Sequence, residues 1–254
     1  MPDRFDSRFQ ISRRLLAGAL MLGVAGCATA PPAGIGRRRD YGLLQDDGTR
    51  IVLPPGFSKD RQWPAVVFLP ATDGTAPDLY RYYAAQHEQR GGFVAVLPPG
   101  SSGASDYSDG ERFAETIAQW NDRVVETLTR HEARFAIETG RVALAGFSLG
   151  GDLSWALSLS SPQAFCGAVV MGSRCGFRTR HSLDLLAFRG YRFALLRGAD
   201  EASARVAGMA AARRLLDEQG IANIFGEVPG EHVRAPPETF MGAVDFVLGT
   251  VPVA

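Results

Sequence analysis

RVALAGFSLGG, residues 141–151, is the stretch that decides the fold, because an apolar run leads into a Gly-x-Ser-x-Gly. Residues 142–145 predict a fully buried parallel strand, and residues 152–159 predict the packed helix that follows it. At such a strand-to-helix turn the serine, Ser148, adopts a strained backbone conformation that exposes its hydroxyl above the sheet edge. The flanking glycines are needed because a Cβ atom there would collide with a neighbouring strand or helix. Gly-x-Ser-x-Gly also occurs by chance in glycine-rich turns, and the strand and helix around it favour a nucleophile.

Strand and helix patterns alternate on both sides of this stretch. The expected further strands are 63–69, 92–97, 167–171, 191–196 and 223–228, and the expected helices are 78–90, 111–139 with Gly140 as C-cap, 183–188, 201–219 and 237–248. Residues 40–53 predict an antiparallel hairpin that turns at Asp47-Gly48. This alternation predicts one α/β domain, with a mainly parallel sheet, helices on both faces, no large lid, and functional loops at the carboxyl ends of the strands.

The composition restricts the classes of function. The 254 residues, of which 46% are hydrophobic, suit one domain with a sizeable core. The formal net charge is zero, so no basic field favours binding to nucleic acid.

The beginning of the chain has the composition of an export signal. Residues 15–26 are apolar, and this run of about a dozen residues, at ~1.5 Å each, is too short to cross a ~30 Å hydrocarbon core. We therefore expect residues 1–27 to be a signal peptide, residues 28–39 a flexible tether and residues 40–254 the folded domain.

Two short motifs refine this expectation. V-A-G-C at 24–27 resembles a bacterial lipobox, which implies that Cys27 is lipidated and that the exported protein is anchored to a membrane of the cell envelope. The alternative is ordinary signal peptidase cleavage after Ala28 or Ala30. S-R-R-L-L at 12–16 resembles a twin-arginine signal, and the general secretion route remains its alternative.

Two further cysteines, Cys166 and Cys175, remain if lipid occupies Cys27. An even number of cysteines in an exported chain favours a disulfide between them. Cys166 also fits as a buried apolar residue in F-C-G-A-V-V-M, 165–171. Neither cysteine has a histidine or a second cysteine at metal-ligand spacing, so no metal site is expected.

A serine hydroxyl is a poor nucleophile at neutral pH, so Ser148 requires a general base. The chain has four histidines. His87 and His131 precede the serine on predicted helices, where a solvent-facing histidine is the ordinary explanation, and His181 precedes the expected acid. His232 follows the last predicted strand, at the same sheet edge as Ser148, and is the expected base.

The base in turn requires an orienting acid. Asp200 follows the predicted strand 191–196 and is the expected acid, although an aspartate there would also suit the N-cap of the helix predicted from residue 201. Glu231 is the alternative, but its adjacency to His232 makes a hydrogen bond between the two side chains awkward.

The order Ser148, Asp200, His232 resembles the α/β-hydrolase superfamily, in particular its small, lidless dienelactone-hydrolase and carboxylesterase branch, over residues 63–248. The resemblance implies that Ser148 attacks an acyl carbonyl, that His232 takes the serine proton and passes it to the leaving group, and that Asp200 holds the imidazole tautomer. It implies hydrolysis of a short or soluble carboxylic ester without a cofactor.

The tetrahedral oxyanion of this chemistry needs two hydrogen-bond donors. One is the backbone N–H of Leu149. The family commonly supplies the other from a His-Gly-Gly loop after the first parallel strand, where this chain has Pro-Ala-Thr-Asp-Gly at 70–74. We expect Thr72 to donate there, with Ala71 as the alternative.

We expect Phe147, Ala71 and Arg174 to contact the substrate. Arg174, Arg178 and Arg180 together would suit an anionic acyl or phosphate-bearing substrate, and solvated surface arginines are the ordinary alternative. Two other functions stay open, namely a catalytically silent hydrolase-fold lipoprotein that acts as a binding or envelope module, and a serine peptidase or thioesterase.

Overall fold

The computed structural model describes residues 41–179 and 182–250. The predicted signal peptide, Cys27, the tether, Arg180 and His181 lie outside these residues. Within the described ranges no helix is both long and apolar enough to cross a bilayer. The elements, in chain order, are β1 (Leu43–Leu44), β2 (Arg50–Val52), β3 (Trp63–Leu69), β4 (Gly74–Thr75), α1 (Ala76–Arg90), β5 (Val94–Leu97), β6 (Ser101–Ser102), a short 3₁₀ helix (Ala104–Tyr107), α2 (Gly110–His131), β7 (Ile137–Phe147), α3 (Leu149–Ser160), β8 (Gly167–Met171), α4 (Leu183–Phe188), β9 (Arg192–Gly198), α5 (Ser203–Glu218), β10 (Ala222–Val228) and α6 (Pro237–Val247).

Eight of these strands form one sheet in the order β1-β2-β5-β3-β7-β8-β9-β10. All neighbours from β5 to β10 are parallel, and the hairpin of β1 and β2 adds an antiparallel edge. The strands β4 and β6 form a separate antiparallel pair. The expected mainly parallel sheet is therefore confirmed, and β7, which carries the Gly-x-Ser-x-Gly, lies among its central strands.

The two faces of the sheet bury two separate cores. All seven residues of β3 are buried. Ala65, Val67 and Leu69 belong to the core that α2, α3, α4 and α5 cover. The alternate residues Val66 and Phe68 belong to the core that α1 and α6 cover. Successive residues of β3 therefore point into two different cores, and because both cores are buried the strand is a continuous apolar run. This arrangement confirms that helices cover both faces of the sheet.

The long helix α2 ends earlier than its apolar spacing predicts. It stops at His131 rather than residue 139, and Gly140 lies inside β7 rather than at a C-cap. Phe135 is still buried, but Ala136 has φ 48° and reverses the chain into β7. Phe135 fits the helical spacing of the apolar residues, but its side chain is buried from the turn that follows α2 and not from the helix itself.

The predicted disulfide is wrong, because both cysteines are free thiols. Cys166 packs against the core under α1 and α6, and Cys175 lies in the core of the opposite face. The five residues of β8 separate them, a span of roughly 16 Å at ~3.3 Å per residue, whereas bridged Cα atoms lie ~4.4–6.8 Å apart. The alternative interpretation of Cys166 as an apolar packing residue fits the structure.

The two helical histidines are buried rather than solvent-facing. The Nε2 of His87 donates to the Phe93 carbonyl at 2.8 Å, and its Nδ1 lies 2.8 Å from the Tyr80 hydroxyl. Burial lowers the pKa of His87, which keeps this ring neutral. His131 lies 2.9 Å from an Asp47 carboxylate oxygen in the β1–β2 turn. The partners of both rings are therefore residues of the surrounding fold, and not Ser148.

Candidate active site

Ser148 occupies the tight turn between β7 and α3. Its backbone has φ 58° and ψ −120°, a conformation that non-glycine residues rarely adopt. The Ser148 N–H donates to the Met171 carbonyl of β8 at 2.9 Å, which fixes the turn to the sheet. A Cβ atom on Gly146 would overlap the Gly150 carbonyl, and one on Gly150 would lie 2.6 Å from the Leu69 carbonyl oxygen. The motif therefore has glycine where neighbouring backbone leaves no room for a side chain.

His232 lies in the loop after β10, against Ser148. Its Nε2 is 3.0 Å from the Ser148 Oγ. Its Nδ1 is 3.1 and 3.0 Å from the two carboxylate oxygens of Glu201. Because a carboxylate only accepts, Nδ1 carries a hydrogen, and in the neutral imidazole with this tautomer Nε2 is the nitrogen that can accept the serine proton. The imidazole rests on the Phe147 ring, with centroids 4.6 Å apart.

The structure corrects the expected acid by one residue, because Glu201 and not Asp200 contacts His232. The Glu201 side chain is fully buried, whereas Asp200 is exposed and contributes its backbone N–H, which donates to the Gly230 carbonyl at 3.0 Å. Asp200 is not an N-cap either, because α5 begins at Ser203 with Ala202 as its cap.

The sequence signal for Glu201 was the carboxylate pair at 200–201 directly after a strand. The prediction from the sequence takes Asp200 as the acid and places Glu201 at the start of the following helix. The chain turns at residues 199–200, where the Glu201 N–H donates to the Gly198 carbonyl at 3.3 Å, and this turn leaves Asp200 exposed while the Glu201 side chain is buried against His232.

The loops that carry Glu201 and His232 are held together by backbone contacts. Beyond the paired strands β9 and β10, the Ala199 N–H donates to the Val228 carbonyl at 2.8 Å. A Cβ atom on Gly198 would overlap the carbonyl of Glu231. The pairing of β9 with β10 thus continues into the site and brings residues 201 and 232 together.

The two predicted oxyanion donors lie on adjoining segments. Leu149 is the first residue of α3, and within the described ranges its N–H donates to no backbone carbonyl. The Thr72 N–H is likewise without a backbone acceptor among the described residues. The Thr72 loop touches the serine turn, since a Cβ on Gly150 would lie 2.8 Å from the Pro70 carbonyl oxygen.

Loop 70–74 keeps its shape without the glycines of the family pattern. Asp73 has φ 57°, the left-handed conformation that glycine would otherwise supply. Its N–H donates to the Ser102 carbonyl at 2.7 Å, and the Ser102 hydroxyl donates to the Ala71 carbonyl at 3.1 Å. The Thr72 and Tyr107 hydroxyls lie 3.3 Å apart. Contacts with residues 101–107 therefore fix this loop.

A cavity of about 370 Å³ has Asp152, one turn of α3 after Ser148, in its lining. Arg174 is exposed at its rim, with the guanidinium 5.5 Å from the Tyr107 ring centroid. Of the other expected substrate contacts, Phe147 supports the His232 ring, and Ala71 accepts the Ser102 hydrogen bond. Aromatic, arginine and aspartate side chains and two glycines line this cavity: Tyr107, Asp109, Gly110, Phe113, Asp152, Arg174, Gly176, Phe177 and Arg178.

Asp152 shapes one wall of this cavity. Its carboxylate accepts hydrogen bonds from the Ser173 hydroxyl at 2.6 Å, the Arg174 N–H at 2.8 Å and the Cys175 N–H at 3.1 Å. Burial raises the pKa of Asp152, and these three donors oppose that effect. The side chain therefore ties the loop after β8 to α3, one turn from Ser148.

Comparison of the sequence with protein-family models and with curated proteins gives no match. Solved structures do match. A ferulic acid esterase from Anaeromyces mucronatus in complex with ferulic acid has a TM-score of 0.60 at 15% identity, over 82% of this chain and 88% of that one. The S-formylglutathione hydrolase from Staphylococcus aureus has a TM-score of 0.57 at 14% identity, over 82% and 94% of the two chains.

A larger protein matches as well. Dipeptidyl peptidase 4 from Porphyromonas gingivalis has a TM-score of 0.56 at 13% identity, over 79% of this chain and 33% of its own length. At such identities the likeness concerns the fold. The parallel sheet, the helices on both its faces and these structural neighbours together show that the chain has the fold of a single α/β-hydrolase domain.

Proposed function

We propose that the protein is a serine hydrolase that cleaves carboxylic esters through an acyl-enzyme on Ser148. The observation that carries the proposal is the continuous hydrogen-bonded series from Ser148 Oγ to His232 Nε2, at 3.0 Å, and from His232 Nδ1 to Glu201. Nucleophile, base and orienting acid each have the partner that acyl transfer requires. The esterases among the structural neighbours support the same reaction class.

In the proposed reaction, Ser148 Oγ attacks the ester carbonyl carbon while His232 Nε2 takes the hydroxyl proton. The carbonyl oxygen becomes an oxyanion that accepts hydrogen bonds from the N–H groups of Leu149 and Thr72. Glu201 stabilises the imidazolium. When the carbon–oxygen bond to the alcohol breaks, His232 gives its proton to the departing alkoxide, and the acyl group stays on Ser148. Water then repeats the sequence and releases the acid.

We propose that the substrate is short or soluble and that part of it enters the cavity at Asp152, one turn of α3 after Ser148. About 370 Å³ accommodates a small acyl or alcohol group. Its aromatic walls, formed by Tyr107, Phe113 and Phe177, suit a flat or apolar group. Arg174, exposed at the rim, would attract a negative charge on that group. Since the site uses only side chains and backbone N–H groups, the proposed mechanism needs no cofactor.

For the amino-terminal part of the chain we propose export and lipidation at Cys27. The proposal rests on the V-A-G-C motif after the short apolar run. Mass spectrometry of the mature amino terminus distinguishes diacylglyceryl-Cys27 from an unmodified terminus after Ala28 or Ala30. An unmodified terminus would contradict the lipid anchor without affecting the proposed reaction.

The test of the reaction is active-site labelling followed by turnover. A fluorophosphonate probe should modify Ser148 of the folded protein and leave Ser148→Ala unlabelled. A panel of p-nitrophenyl esters from acetate to octanoate, with a thioester and a dipeptidyl p-nitroanilide, should show turnover of the short esters. Absence of labelling would favour a catalytically silent binding protein, and turnover of the anilide alone would favour a peptidase.

A further inference from the structure

We infer that Arg205 is a positioning residue that sets the pH range over which His232 can accept the serine proton. The inference rests on the proposed function. Three hydrogen-bond donors surround one carboxylate oxygen of Glu201. Oε1 lies 3.1 Å from His232 Nδ1, 3.3 Å from the Ala202 N–H and 3.4 Å from Arg205 Nη1. The catalytic acid is therefore shared between the base and a guanidinium.

The position of Arg205 follows from the start of α5. Arg205 lies four residues after Glu201, and its own N–H donates to the Ala202 carbonyl at 2.9 Å in the first turn. Its side chain is only 19% exposed, and the Glu201 side chain is fully buried. Solvent therefore screens the attraction between these charges less than it screens an exposed ion pair.

A buried carboxylate needs a compensating positive charge. To take the proton of Ser148, His232 must be in its neutral form, which contributes no charge. Among the described residues, Arg205 supplies the guanidinium within 4.0 Å of the Glu201 carboxylate. Arg205 is thus the positive partner of the Glu201 carboxylate in the form of the site that can react.

The same guanidinium acts on His232 in the opposite direction to Glu201. The carboxylate favours imidazolium, and the positive charge of Arg205 disfavours it. Removing Arg205 therefore favours uptake of a proton by the Glu201–His232 pair, whichever member holds it. A protonated pair cannot accept the serine proton, so the site would lose activity at a higher pH than the wild type.

Other charged groups near this pair are exposed, and their effects are correspondingly more screened. The carbonyl of Arg174 packs against Gly208 of α5, and the Arg234 guanidinium lies 5.2 Å from the centroid of the Phe147 ring that supports His232. The exposed charged residues on the surrounding segments are Arg174 after β8, Asp200 after β9, and Glu231 and Arg234 after β10.

The experiment measures kcat/KM against pH for a short p-nitrophenyl ester. Arg205→Gln and Arg205→Met both remove the charge and keep much of the side-chain length. In both, the midpoint of the acid limb should rise by about 0.5–1 pH unit. Arg205→Lys keeps the charge and should restore the wild-type midpoint.

Arg213→Gln is the matched control. Arg213 is on the same helix, and it also forms an ion pair four residues away, with Asp217 at 3.8 Å, but its side chain is 53% exposed. The acid limb of the pH profile of Arg213→Gln should coincide with that of the wild type. If Arg205→Gln and Arg205→Met fold but the acid limb of their pH profiles does not shift, the inference is overturned, even if their activity falls. A wild-type protein without labelling or turnover would instead contradict the proposed function.

Discussion

The two sides of Ser148 are built by different means. On one side, the proposed acid Glu201 and base His232 follow the adjacent strands β9 and β10, and backbone hydrogen bonds at Ala199 and Asp200 continue the strand pairing into the site. On the other side, loop 70–74, which carries the proposed oxyanion donor Thr72, is joined to residues 101–107 by the short β4–β6 pair and by the hydroxyls of Ser102 and Tyr107. The sheet thus fixes the proposed acid–base side, whereas local contacts fix the proposed oxyanion side.

This difference indicates which changes each side tolerates. The acid–base side should be sensitive to the side chains that react and to added backbone bulk. The proposed oxyanion donors are backbone N–H groups, which every residue except proline has, so the oxyanion side should be less sensitive to single side chains. It also manages without a glycine at Asp73, whose backbone adopts φ 57°.

The largest expected effect is the loss of the base. His232→Ala should lower kcat for a p-nitrophenyl ester by about 10⁴–10⁶-fold, because Ser148 Oγ loses the group that takes its proton. The thermal unfolding midpoint should change little, since the ring is 30% exposed. Activity near the wild-type level would mean that another residue acts as the base.

The next effect separates the two adjacent carboxylates. Glu201→Gln should lower kcat by about 10³–10⁴-fold, because the amide no longer holds the imidazole tautomer or stabilises imidazolium. Asp200→Asn should stay within about twofold of wild type, because that carboxylate is exposed and is not the partner of His232. The opposite ranking in steady-state kinetics would restore Asp200 as the acid.

A pair of glycine substitutions tests the backbone of the two sides. Gly198→Ala adds a Cβ that overlaps the Glu231 carbonyl, so acid and base must move apart. We expect roughly 10²-fold lower kcat/KM and about 1–3 kcal/mol lower stability in urea unfolding. Gly103→Ala on the oxyanion side places its Cβ 3.6 Å from the Asp73 carboxylate, an ordinary contact. Equal losses in the two variants would contradict the contrast between the sides.

The smallest effect should come from a hydroxyl on the oxyanion side. Tyr107→Phe removes the partner 3.3 Å from the Thr72 hydroxyl and keeps the ring that lines the cavity. We expect kcat to fall by about threefold to tenfold with KM nearly unchanged, in keeping with one hydrogen bond. A loss as large as that of Glu201→Gln would show that side chains govern both sides equally.

Features set by apolar periodicity could be predicted from the sequence. Strands 63–69 and 167–171 have the predicted bounds, because a continuous apolar run is typical of a strand buried on both faces. Features set by the local direction of the chain could not be predicted. The reversal at Ala136, which has φ 48°, and the turn at 199–200 that exposes Asp200 depend on a few residues, and hydrophobic patterns do not report such turns.

The cysteines show a second limit of prediction from the sequence. Counting them favoured a bridge, but the strand between Cys166 and Cys175 places them on opposite sides of the sheet. Sequence proximity overestimates spatial proximity whenever a strand lies between two residues. The same strand geometry made the position of Ser148 predictable, because a motif at the end of a strand has a defined place on the sheet edge.

The contact of His232 with Phe147 has a consequence for the spacing of the site. Phe147 is the last residue of β7 and Ser148 directly follows it, so the imidazole packs on the segment that carries the serine. We therefore expect substitutions that shift the end of β7 to displace both side chains in the same direction and to change their separation little.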